Sequence, residues 1–214
     1  MTLPSTVAGE TVHEIVIKKS RFLARAVHVT SVDEADAVIA RVRKEFWDAR
    51  HSCTALVVGP HADQQRSNDD GEPSGTAGVP MLEVLRQRDL TDVVVVVTRY
   101  FGGVLLGAGG LVRAYSSSVS EVLDRAPLVR RALMDETVVE ASYSEAGRLE
   151  HFLREWTTAR GAVLDDVAYG GTGVTFALLV PPVRRAALAA DLAAISAGAV
   201  EAAVVGQRVA DLRG

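Results

Sequence analysis

Apolar and polar positions alternate through Ile15, Ile17, Phe22, Leu23 and Val27. This two-residue period over His13 to Val29 predicts one or two early strands, with a bend near Lys18, Lys19 and Arg21. The period then lengthens. Val32, Ala35, Val38, Ile39, Val42 and Phe46 recur at helical spacing behind Ser31 and Glu34, a capping box, so a helix is expected from Val32 to about Trp47. Ser52 to Val58 reads as a short strand, and the run of valines within Asp92 to Thr98 as a central strand buried on both faces. Between them, Gly59 to Gly78 is crowded with Asp, Asn, Ser, Pro and Gly, the composition of a long exposed loop, and Val79 to Arg88 suits a short helix. Leu111, Tyr115, Val119 and Val122 mark one face of a helix from about Gly109 to Arg125, which Pro127 stops.

Beyond that proline the pattern restarts. Strands are expected at Ala132 to Ala141, Ala162 to Tyr169, Val174 to Val180 and Val200 to Val209, with helices from Glu145 to Arg160 and from Pro181 to about Ser196. Gly170, Gly171 and Gly173 supply a hairpin. The order βαββαβ is the ferredoxin-like one. The expected fold class is therefore α+β with two domains, residues 1–127 and 128–214.

Composition narrows the function classes. With 48% hydrophobic and 23% charged residues the chain has the make-up of a folded globular protein, so disorder is not expected to carry its function. The single cysteine, Cys53, excludes an internal disulfide and any multi-cysteine metal site, which fits a reducing, cytoplasmic setting. No apolar run of leader or membrane-spanning type is present, so no membrane partner is expected. The net charge of −4 divides evenly about Arg125, so any contact with nucleic acid has to use a local basic patch.

Two segments carry candidate chemistry. The first, Arg66-Ser-Asn-Asp-Asp-Gly-Glu-Pro-Ser-Gly-Thr-Ala-Gly78, is dense in side-chain acceptors and leads into a helix. Its glycines and the helix start can turn N–H groups toward an anion, or Asp69, Asp70 and Glu72 can hold a hard cation. Equally, the carboxylates cap local N–H groups and the glycines shape a turn. The second segment runs from Thr98 to Tyr115 as TRYFGGVLLGAGGLVRAY, from strand through double glycine to helix. It lacks the last glycine of the dinucleotide fingerprint and the Gly-Lys-Ser/Thr of a nucleotide P-loop. One reading is a phosphate cradle; the other is close helix-to-strand packing, with Leu105, Leu106 and Leu111 filling the core. Arg99 and Arg113 supply planar donors for phosphate, and Tyr100 offers a stacking surface for a base. His51 and Cys53, two apart on a strand, diverge along it, and Cys53 reads as a small buried hydrophobe.

These two segments, together with Lys18-Lys-Ser-Arg-Phe-Leu23 and His51-Ser-Cys53, resemble the signature of the Impact (YigZ-like) family. The resemblance implies an N-terminal domain with the fold of the second domain of ribosomal protein S5, followed by a ferredoxin-like domain similar to those of translational elongation factor G. Eukaryotic members of the family act in translational control by binding a regulator of a stress-responsive kinase. They carry an extra N-terminal RWD-type domain for which no counterpart is expected in this sequence. Carried over residue by residue, the family's surface comprises Arg66, Asp69, Asp70, Glu72, Ser74 and Thr76 of the first segment. From the second it takes Arg99, Tyr100, Gly102, Gly103, Gly109, Gly110 and Arg113.

The expectation is a non-enzymatic, translation-linked regulatory protein that binds RNA, the ribosome or a translation factor through this surface, with no cofactor, no metal and no catalytic residue. The alternative is a phosphate- or nucleotide-dependent enzyme using the glycine-rich loops, since sugar and mevalonate kinases share the S5-like fold.

Overall fold

A computed structural model describes residues 3–212, which fall into two compact units, one ending at Arg131 and the other running from Ala132 to Leu212. No helix among the described residues is long and apolar enough to cross a membrane.

The first unit opens with β1 (Thr6–Val7), β2 (Glu10–Ile17), β3 (Ser20–His28), α1 (Val32–Glu45) and β4 (His51–Val58). It continues with β5 (Gln64–Asn68), α2 (Gly78–Gln87), β6 (Val93–Tyr100) and α3 (Ala108–Arg125). Its main sheet is antiparallel throughout, in the order β2-β3-β6-β4-β5. The unbroken valines of β6 follow from helices on both faces of this sheet. Val93, Val95 and Val97 pack with Met81 and Leu85 of α2 and Val119 and Val122 of α3, while Val94 and Val96 meet Ile39 and Val42 of α1. A strand with two dry faces needs apolar residues at every position. Ser31 caps α1 as the sequence pattern predicts, its Oγ accepting the Glu34 N–H at 3.2 Å, while the Glu34 carboxylate reaches one residue beyond the cap and accepts the Thr30 N–H at 2.7 Å.

Residues 59–78 are not one unbroken loop. β5 lies within that stretch and pairs with β4, Leu56 opposite Arg66. Its sequence, QQRSN, has no apolar residue, so no periodicity marks it; an edge strand needs only backbone pairing on one side.

Gly102 shows where two turns meet. A Cβ there would lie 2.0 Å from the Lys19 carbonyl carbon and 2.4 Å from the Ser20 nitrogen, and the Gly102 N–H donates to Ser20 Oγ at 3.1 Å. The neighbours are backbone and cannot rotate away. Gly102→Ala is therefore expected to destabilise the protein by about 1–3 kcal/mol, read as a lower urea midpoint at unchanged slope.

The second strand set begins at β7 (Leu128–Ala141), whose first residues still belong to the first unit and pair there with β1, Val7 opposite Leu128. The second unit continues with α4 (Tyr143–Arg160), β8 (Val163–Tyr169), β9 (Val174–Val180), a 3₁₀ turn at Pro182–Arg184, α5 (Arg185–Ser196) and β10 (Ala202–Leu212). β7 pairs with both β9 and β10, and β9 with β8, so the sheet order is β10-β7-β9-β8, the ferredoxin-like arrangement. Leu149, Leu153 and Trp156 of α4 and Leu188 and Leu192 of α5 cover one sheet face through Val139, Phe176, Leu178 and Val180. The α+β class read from the sequence is the one observed.

Candidate functional site

Register decides what gathers at one end of the first sheet. Arg21 lies opposite Tyr100 and His51 opposite Arg99, so the Lys18–Lys19 turn, the segment before His51 and the segment after Tyr100 all emerge there. The loop joining β5 to α2 closes over the same end, and the three carboxylates that the sequence offers as cation ligands are all engaged by the protein.

Asp69 accepts three backbone N–H groups, from Gly75 at 2.8 Å, Ala77 at 3.0 Å and Gly78 at 2.8 Å. Burial works against its charge, but the three donors outweigh it and hold the carboxyl below the usual aspartate value. The side chain thereby caps α2, whose own N-cap residue, Ala77, has no side-chain acceptor. Asp70, at φ +43°, pairs with Arg43 at 2.7 Å, accepts the Ser52 N–H at 2.7 Å, and offers its carbonyl to His51 Nδ1 at 2.9 Å. Glu72 is buried: one of its oxygens accepts both Arg99 Nη1 and the Tyr115 hydroxyl at 2.7 Å. Of the two readings of this loop, the capping one describes the observed contacts.

Arg99 and Glu72 bring the two segments together, but as a brace beneath the surface. The Arg99 guanidinium sits 5.4 Å from the centroid of the Phe22 ring and 5.7 Å from that of Phe101, and its Nε is buried without a hydrogen-bond partner. Tyr115 donates to Glu72 and accepts from Cys53 Sγ at 3.3 Å. Burial first, and the Cys53 side chain second, push the Tyr115 phenol far up. The Cys53 thiol is itself pushed up, by burial above all, to about 12, so it is a thiol at neutral pH and a poor nucleophile.

The remaining candidates divide. Arg66 sits on edge strand β5 and pairs with Asp36 of α1. Thr76 is buried and donates to the Pro73 carbonyl at 2.6 Å, while Ser74 is exposed. Tyr100 donates to Asp48 at 2.8 Å and has the Arg21 guanidinium 5.5 Å over its ring, so that face is already covered. Gly103 requires its φ of +83°, and Gly109 and Gly110 lie in the first turn of α3. Arg113, one turn further, is exposed and unpaired.

Several residues at this end escape the sequence reading. Leu105, which the packing reading of the second segment puts in the core, is 82% exposed, whereas Leu111 is buried and Leu106 partly so. Trp47 is 82% exposed and Phe101 53%. Trp47 falls outside the apolar repeat of α1, which is a usable sign that it does not face the core; Phe101 carries no such sign. Among the described residues, Lys18, Lys19, Lys44, Arg50 and Arg113 make no ion pair.

Comparison with known proteins follows the same outline. Residues 18–123 match the Impact N-terminal domain, and residues 139–199 match a domain of unknown function, DUF1949. The chain is similar to IMPACT family member YvyE of Bacillus subtilis, 53% identical over 148 residues covering 69% of this chain and 67% of that one. It is also similar to IMPACT family member YigZ of Escherichia coli, 36% identical over 189 residues covering 86% and 89%. Among solved structures it resembles a crystal structure of a hypothetical protein, at 33% identity and a TM-score of 0.64 over 96% of this chain and 98% of the other.

Proposed function

The chain belongs to the Impact family, and from that membership we propose that it is a translation-linked regulatory protein of the cytoplasm that binds RNA, on the ribosome or free, through the exposed end of its first sheet. One observation carries the reading. At that end Asp69, Asp70 and Glu72 are committed to protein donors, whereas Lys18, Lys19, Lys44, Arg50 and Arg113 are free. Even with the charges of Asp69, held by backbone N–H groups, and of Asp48, held by the Tyr100 hydroxyl, counted against them, these five cations leave a local positive excess on a chain of net charge −4, beside exposed Trp47 and Phe101. Of the sequence candidates, Arg113 belongs to the proposed contact surface with Ser74 at its margin. Asp69, Asp70, Glu72, Thr76 and Arg99 shape the loop beneath it.

The test is co-sedimentation of the full chain with ribosomes and subunits across a salt series, against Lys18→Ala/Lys19→Ala/Arg113→Ala. Wild type is expected to pellet at low salt and to be released as salt rises. The variant should give a log–log salt slope shallower by about 2–3, since every phosphate left without its cation takes roughly 0.7–0.9 off the slope. No pelleting at low salt defeats ribosome binding. Association that ignores salt and survives nuclease treatment points to a translation factor instead.

The alternative, a phosphate- or nucleotide-dependent enzyme, has one observation in favour. α3 follows Gly107 as its N-cap residue, with no side-chain cap and no acidic residue in its first turn, which leaves N–H groups open to an anion. Asp69, Asp70 and Glu72, the acids of the first segment, already accept protein donors, and binding is the reading that the free cations favour.

A further inference from the structure

The RNA reading leaves open which form of RNA the surface takes, and the exposed apolar side chains answer that. A surface built for duplex backbone needs cations and polar donors; the base faces of a duplex are already stacked, and its deep major groove is closed to side chains. Large rings standing in water among cations suit bases that are not paired, because every base has a π-face to offer.

Phe101 is half exposed, and its inner side is backed by the Arg99 guanidinium at 5.7 Å, which the Glu72 carboxylate holds at 2.7 Å. The ring therefore touches a buried, paired group and still leaves half its surface in water. Trp47 is 82% exposed, and its neighbour Asp48 accepts the Tyr100 hydroxyl at 2.8 Å. That bond ties the end of α1 to the strand that runs straight into Phe101, so the segments that carry the two exposed rings meet at one strand end. One face of the Tyr100 ring is covered by Arg21. Lys18 and Lys19 form the turn against which Gly102 packs, next to Phe101, and bring unpaired ammonium groups to the same place.

We propose that this end of the sheet is a binding site for single-stranded RNA, in which unpaired bases stack on Phe101 and Trp47 while the Lys18–Lys19 turn and Arg113 contact the phosphates. The proposal rests on the RNA reading above and narrows it to unpaired strands.

The experiment uses the full chain and three fluorescein-labelled probes at matched salt: a uridine decamer, an RNA duplex of ten base pairs, and an abasic decamer with the same phosphates. Binding is followed by anisotropy. The decamer is expected to bind about tenfold or more tightly than the abasic probe, with Phe101→Ala and Trp47→Ala each weakening it by about tenfold at an unchanged salt slope. Both side chains are exposed, so the variants should keep the wild-type unfolding midpoint. Intrinsic fluorescence gives a second readout. The other tryptophan, Trp156, is only 3% exposed and donates to Asp191 at 2.8 Å, so quenching by the unlabelled decamer reports on Trp47 and should vanish in Trp47→Ala. Equal binding of all three probes, untouched by Phe101→Ala, would overturn the single-strand inference and leave the RNA reading standing. Failure of every probe at low salt overturns both.

Discussion

Glu72→Ala is expected to lower the unfolding free energy by about 3–5 kcal/mol, the usual cost of removing one partner from a buried ion pair. The side chains of Arg99 and Glu72 are 8% and 3% exposed, and their contact is 2.7 Å. Without the carboxylate the guanidinium stays enclosed near the Phe22 and Phe101 rings with no counter-charge, its Nε already unpartnered, and the Tyr115 hydroxyl loses its acceptor. Arg99→Ala should cost a similar amount through the stranded carboxylate. Replacing both, as Glu72→Leu/Arg99→Met, should recover most of the loss, because an apolar pair needs no mutual neutralisation. Guanidinium unfolding followed by far-UV circular dichroism measures all three. Single variants within about 1 kcal/mol of wild type would mean that the pair is solvated. It follows that Arg99 is the wrong residue with which to probe RNA contact: its loss weakens the scaffold that holds Phe101, and an effect on binding would be indirect.

Asp69→Ala should cost about 2–3 kcal/mol at neutral pH, since it strands the N–H groups of Gly75, Ala77 and Gly78 together and uncaps α2. The loss has a pH signature. The folded carboxyl lies below its ordinary value despite burial, because the three donors favour the charged form. A depressed folded value means that the contribution is present in full above the unfolded value, near about pH 4, and disappears as pH falls through the folded value. The stability gap between wild type and Asp69→Ala is therefore expected to be flat from neutral pH to about pH 5 and to narrow below about pH 4. Denaturant midpoints of the two proteins across that range test it. A gap that is constant down to about pH 2 would show that the carboxylate charge contributes nothing to the cap.

The consequences reach the surface. If Asp69 and Glu72 hold the loop after β5 in place, their loss should loosen the end of the sheet where Phe101, Trp47 and the free cations stand, so stability must be measured before any binding deficit is assigned to contact.

Periods, caps and strand order could be read from the amino-acid sequence because each depends on residues close in the chain. Ser31 and Glu34 are three apart and cap α1 wherever it packs. The valine run can be satisfied only by a strand covered on both sides, and the βαββαβ order of residues 132–212 leaves little choice of topology. The Impact resemblance likewise rests on contiguous segments. What a polar or apolar side chain does at the site was decided by tertiary structure, because the deciding partners are distant in the chain. Glu72 and Arg99 look like surface groups until the fold sets them against each other across 27 positions; Asp69 looks like a cation ligand until Gly75, Ala77 and Gly78 turn their N–H groups onto it. Leu105 and Leu111 are the same residue type in one motif, and only the course of the turn into α3 puts the first in water and the second in the core. Hydrophobicity states a preference for burial; the backbone path determines which of the competing residues is granted it.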